Sequence, residues 1–203
     1  MQKIILGWLC VISGLLWGVK PIYDVLFNGR RVNQGYTPSG PTDYIFFLFP
    51  LLCIGGLVVI YSLYKREVRN SVVILSAAVI LSALFHFFEI YFYGFNLPFG
   101  FIFLFTGTIC MMIGSIYLFR QLRTIILTAN VLSWTAIALF LDNLLLIVLT
   151  FLTEALPEKI TNPILAILMV SIGFIWAMFG LAVLKLRETR EPSETDEKVL
   201  KNV

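Results

Sequence analysis

Six stretches of about 20 to 29 predominantly apolar residues follow one another along this chain, separated by short polar segments. A helix rises about 1.5 Å per residue, so about 20 such residues cross the ~30 Å hydrocarbon core of a bilayer. The stretches cover 4–27, 44–64, 71–93, 98–119, 124–152 and 163–184. A water-soluble fold of this length has too little interior to hide them all. Charged residues make up only 13% of the chain, against about 25% in an average soluble domain. The expected fold is therefore all-α: a polytopic membrane bundle of six transmembrane helices, arranged as three antiparallel hairpins. The bundle takes in residues 1–186. Residues 187–203 carry both charge signs and few apolar side chains, the composition of a disordered cytoplasmic tail.

The fifth stretch, 124–152, is too long for the core if it is one straight helix, about 43 Å. It either tilts or breaks at Asp142-Asn143. Met1-Gln2-Lys3 ahead of an apolar run imitates a secretory leader. No small-x-small cleavage site follows, so the segment is expected to stay as the first span.

Lysine and arginine gather on the cytoplasmic side of membrane proteins. With the N-terminus inside, eleven of the 15 fall on that side: Lys3, Lys65, Arg66, Arg69, Arg120, Arg123, Lys185, Arg187, Arg190, Lys198 and Lys201. Lys20, Arg30, Arg31 and Lys159 fall on the other. Both termini are thus expected in the cytoplasm of a cell carrying this chain in its membrane. The same rule accounts for the alike inner ends of the second, fourth and sixth spans, each closing on a basic residue.

Lipid tails are as apolar as leucine, so helices in a bilayer join through close contact and buried polar bonds. Three spans offer small residues at seven-residue spacing: Gly7 and Gly14 with Gly18, Gly100 with Gly107 and Gly114, and Ala166 with Gly173 and Gly180. These faces serve packing within one chain or, alternatively, a homo- or hetero-oligomer.

Several chemistries are excluded. A single histidine rules out HExxH and other multi-histidine sites, and no GxSxG turn or phosphate-binding glycine loop occurs. Cys10, Cys53 and Cys110 all lie inside apolar runs, where they read as small core residues rather than disulfide or zinc ligands. No basic patch interleaved with exposed aromatics lies outside the spans, so no nucleic acid is expected. No catalytic residue, cofactor or metal is expected either.

Ionisable groups inside spans are costly, about 2.5 to 3.5 kcal/mol each at mid-helix. Lys20, Asp24, His86, Glu89 and Asp142 are such groups, and the proposed topology puts all five in the outer half. Lys20 and Asp24 are four apart and share a face with Ser13 and Trp17; His86 and Glu89 are three apart and share one with Ser82 and Tyr93. Thr128, Thr135 and Asp142 line one side of the fifth span. Pro21 and Pro50 each remove a backbone donor, disturbing the carbonyls of Trp17 and Phe46. Kinked helices near mid-membrane often surround binding sites in transporters.

The five residues read as the lining of a polar cavity for a small polar solute, a cation or a proton. They read equally as local salt bridges near the interface. The functional expectation is solute or ion binding or transport. The alternative is an accessory membrane subunit without a ligand, and the third reading is a membrane-embedded enzyme. The lipid bilayer is the partner common to all three.

Orientation is testable directly. A reporter that fluoresces only in the cytoplasm should be bright when fused within 65–70 or after Val203, and dark within 28–42. The opposite pattern overturns the assigned sidedness.

Overall fold

The computed structural model describes residues 1–27, 44–92, 97–125, 130–152 and 157–190. Its elements are α1 (Gln2–Phe27), α2 (Leu48–Leu52), α3 (Ile54–Tyr64), α4 (Arg69–Tyr91), α5 (Leu97–Ile125), α6 (Asn130–Leu152) and α7 (Glu158–Arg190). No strand occurs among the described residues. Five helical segments are long and apolar enough to cross a membrane: Gln2–Tyr23, Arg69–Tyr91, Ile102–Thr124, Val131–Leu152 and Lys159–Leu186. Leu48–Tyr64 is apolar but shorter, about 25 Å along its axis.

The outside of the bundle is as apolar as its inside. Trp134, Phe151 and Ile167 are 66%, 66% and 65% exposed. Only 33% of the most apolar window of α4 is buried within the chain. So much unburied apolar surface fits a surrounding of lipid rather than water.

Each helix packs on its neighbour in sequence, and the series closes on itself where α1 meets α7 in the most extensive contact of the bundle. The register there is antiparallel: Gly7 faces Leu184, Gly14 faces Gly173 and Ala177, and Gly18 faces Val170. A Cβ on Gly14 would stand 2.4 Å from the Ala177 nitrogen; one on Gly173 would stand 2.2 Å from the Gly18 nitrogen. Backbone touches backbone, which only glycine permits. The small-residue faces of these two helices are thus filled by the chain itself. The same logic joins α4 to α5, where Gly107 meets Leu81 and Ala78 and Gly114 meets Leu75.

Helix bounds depart from the sequence reading in four places. Span two is two helices, α2 and α3, meeting at Cys53. Proline explains it: Pro50 has no N–H, and Phe49 N–H instead reaches Phe46 O, three residues back, at 3.1 Å. Cys53 N–H likewise bonds Pro50 O at 3.0 Å, so the helix tightens and restarts. By contrast α1 runs through Pro21 uninterrupted.

α5 continues to Ile125, past the expected end at 119, because Leu122 is fully buried and Gln121 accepts from Ser71 at 2.6 Å. α6 begins at Asn130 rather than at 124, since residues 124 and 125 belong to α5, and it runs unbroken through Asp142-Asn143, the continuous one of the two forms the sequence left open. The Asn143 amide donates to Leu139 O at 2.8 Å, so the polar pair is absorbed into the helix.

α7 starts at Glu158, not at Pro163, because Pro157 is the residue whose carbonyl takes the first bonds, from Ile160 and Thr161 at 2.9 and 3.2 Å. It runs on to Arg190, beyond the expected end near 184. The expected cap Asp43, the loop 28–42 and tail residues 191–203 lie outside the described residues.

A single methyl group should expose the α1–α7 contact. Gly173→Ala is expected to cost about 1 to 3 kcal/mol through overpacking, read as a lower thermal unfolding temperature in detergent. Gly100→Ala is the control: its Cβ would sit 3.7 Å from Phe85, ordinary contact, and should lose nothing.

Candidate functional site

The sequence singled out Lys20, Asp24, His86, Glu89 and Asp142. Lys20 sits on α1, one turn beyond Trp17, and both are 7% exposed. Its ammonium lies over the Phe46 ring, 5.7 Å from the centroid, a favourable cation–π arrangement. On α4, His86 packs its ring edge-on to the same Phe46 at 4.7 Å and to Trp17 at 6.5 Å. His86 Nδ1 then stands 3.5 Å from Glu89 Oε2, one helical turn along. Phe46, 6% exposed, is therefore the shared wall between the ammonium of α1 and the imidazole of α4.

Lys20, His86 and Glu89 are brought together at the junction of α1, the start of α2 and α4. Glu89 keeps 30% of its side chain exposed against 12% for His86, so the group opens toward the end of α4. Such a site holds one cation, one imidazole and one carboxylate within a few ångströms of aromatic faces. It suits orienting a small polar solute. It holds no aligned nucleophile. The i,i+3 pair by itself is worth at most about 1 kcal/mol where water reaches it. The Asp24 side chain lies outside the described residues, as do those of Tyr93 and Thr128.

Asp142 stands elsewhere. It is 7% exposed on α6, and its Oδ1 is in hydrogen-bond contact with Ser171 Oγ of α7. Its Oδ2 is buried with no hydrogen-bond partner. α6 packs on α5 and α7 and touches neither α1 nor α4. The height is nonetheless shared. Ser171 belongs to the turn of α7 bounded by Val170 and Gly173, which packs on Gly18, and Gly18 adjoins the Trp17 that meets His86.

Sequence reading missed Ser171. The signal was present, since Ser171 is the sole hydroxyl residue between Pro163 and Leu184. It also missed where the Pro50 break would act. With Cys53 N–H turned to Pro50, the Phe49 carbonyl is released, and Ser13 Oγ of α1 donates to it. Cys53 Sγ lies 3.4 Å from the same hydroxyl, and Cys10 Sγ donates to Trp176 O at 3.5 Å. These contacts tie α1 to α2 and α7 directly below the Lys20 group.

A small cleft between α5 and α6 is lined by Leu104, Phe105, Thr108, Leu146, Thr150 and Phe151 among others. None of the sequence-chosen residues borders it. Among the described residues, no three His, Cys, Asp or Glu side chains stand together as a metal site.

No family model matches this chain, and no curated protein or solved structure matches it.

Ser13→Ala removes the donor that holds Phe49 O. Interhelical bonds of this kind contribute about 0.6 to 1.7 kcal/mol, so a modest fall in thermal stability is expected. The Cys53 thiol, 3.8 Å from the same oxygen, limits the loss; Ser13→Ala with Cys53→Ala should cost more than the two single changes summed.

Proposed function

We propose that this chain is a six-span integral membrane protein, three antiparallel hairpins with both termini cytoplasmic, that binds or transports a small polar solute or ion at a site in its outer half. The site is formed by Lys20, Asp24, His86 and Glu89, with Asp142 at the same height between α6 and α7.

One observation carries the reading. Lys20 is buried in a bundle whose exterior is apolar, and it is set across Phe46 from His86 and Glu89. An ammonium and an imidazole drawn from two helices to one buried aromatic residue are expensive to keep out of water, and the partly exposed Glu89 stands beside the imidazole. Snorkelling accounts for a lone lysine near an interface. It does not account for a histidine and a glutamate meeting it across a buried ring. A solute with both a polar acceptor and a donor finds its complement there.

The reading predicts a thermal-shift signature. Purified protein is screened against amino acids, small organic anions, polyamines and alkali cations. At least one compound should raise the unfolding temperature of the wild type. Glu89→Ala should abolish that rise while unfolding at an unchanged temperature without the compound; His86→Ala should also abolish it, with a lower starting temperature because its ring packs on Phe46 and Trp17. A rise of equal size in both variants, or none with any compound, removes the site.

A further inference from the structure

Ser171 Oγ faces two acceptors at once. It contacts Asp142 Oδ1, and it lies 2.9 Å from the carbonyl of Leu168, three residues back on its own helix. A hydroxyl has one hydrogen to give. With an ionised carboxylate, Ser171 must leave one of the two oxygens without a full bond. Asp142 Oδ2 is already buried and bare. An ionised Asp142 would thus keep its charge in an apolar bundle on a shared hydrogen.

Ser71 presents the same choice and shows how it is ordinarily resolved. Its Oγ lies 2.9 Å from Val68 O and 2.6 Å from the Gln121 side-chain amide. The amide carries no charge, and turning it over would offer a second hydrogen in place of an acceptor. Ser13 has the Cys53 thiol for that purpose. Among the described residues, Ser171 Oγ meets only Asp142 Oδ1 and the Leu168 carbonyl, so the Asp142 carboxyl is the group there that can supply one.

Among the described residues of α5 and α7, the helices packed on α6, no charged side chain stands near Asp142, and Lys20 belongs to α1, which does not pack on α6. On α7 the described charged side chains are Lys159 and Lys185, exposed and 12 and 14 residues from Ser171, about 18 and 21 Å along the helix. On α5 they are Arg120 and Arg123, exposed at its far end. Among the described residues, the other buried polar groups of the elements around Asp142 are neutral: Thr108 and Ser115 on α5, Ser133, Thr135 and Asn143 on α6, and Thr161 on α7.

We propose that Asp142 and Ser171 form a proton-binding site. Asp142 carries the proton on Oδ1 and donates it to Ser171 Oγ, and Ser171 donates in turn to Leu168 O. Every hydrogen then has an acceptor, and the bare Oδ2 is the neutral carbonyl oxygen of an acid rather than a charged atom. This deepens the reading above by naming the proton as the ion held at Asp142. Deprotonation breaks the chain at its first link and leaves a carboxylate facing the α6–α7 contact. Proton occupancy there is therefore coupled to the packing of the two helices.

Infrared spectroscopy of the purified full chain tests it. Aspartate labelled with carbon-13 at its side-chain carboxyl shifts the carbonyl stretch of any protonated aspartic acid and spares glutamates. At neutral pH the wild type is expected to show one such isotope-sensitive acid band, lost reversibly as the pH is raised. Asp142→Asn should lack it, and Ser171→Ala should move it to higher frequency as its acceptor is removed.

Absence of an isotope-sensitive acid band from the wild type at neutral pH overturns the proposal, and so does its persistence in Asp142→Asn. The wild-type measurement stands even if a variant fails to fold. Failure here is separable from failure of the solute site: a missing band with an intact thermal shift removes only the proton. An intact band without any thermal shift removes only the solute.

Discussion

Backbone-to-backbone contact between the first and last helices is what the rest of this bundle depends on. Gly14 and Gly18 of α1 lie against Gly173 of α7 so closely that no side chain fits between them. In lipid there is no hydrophobic gain from burying one apolar helix against another. Dispersion at short range and a few polar bonds must do it. The contact closes the series of helices, and it also sets the height at which Trp17 and Lys20 enter the interior. Move α1 by one turn and Lys20 no longer meets Phe46.

A second constraint is the interruption at Cys53. A continuous helix would have spent the Phe49 carbonyl on Cys53 N–H. The proline-driven tightening instead presents that carbonyl to Ser13. The segment before the break carries Phe46, and its ring faces both Lys20 and His86. The shortest of the apolar segments is therefore the one that organises the polar group. Its irregular backbone is tolerated because α1 supplies the missing donor. Aromatic residues complete this corner: Phe47 packs on Phe87, and Tyr91 donates to the Tyr44 carbonyl at 3.0 Å. The C-terminal end of α4 is thereby fixed to the segment leading into α2.

The polar groups divide between two places. Lys20, His86 and Glu89 share one junction, and Asp142 with Ser171 occupies another, on helices that do not touch α4. Their grouping by height was legible from residue counting along the spans, since a helix has a fixed rise. Their grouping by neighbour was not. Counting gives depth and face, but not which helix stands opposite. Hence Trp17 reads from the sequence as a stripe residue and proves to pack against the His86 ring. Ser171, the sole hydroxyl between Pro163 and Leu184, has no partner in a one-helix view and meets Asp142 only across the α6–α7 contact.

The sequence by itself determined that the chain is all-helical, where most helices run, and that its surface suits lipid. These follow from local properties: apolar run length, proline position and the cost of charge in hydrocarbon. Tertiary structure decided the neighbours. It turned the glycine faces inward, split the second span at Cys53 and divided the four described candidates, Lys20, His86, Glu89 and Asp142, between two places. Helix bounds also ran past their apolar runs, since buried Leu122 and the carbonyl of Pro157 hold turns that hydropathy alone ends early. The reason is that a helix in lipid gains almost nothing from hydrophobicity when choosing a partner. The choice falls to shape and to single hydrogen bonds, and those exist only once two surfaces have met.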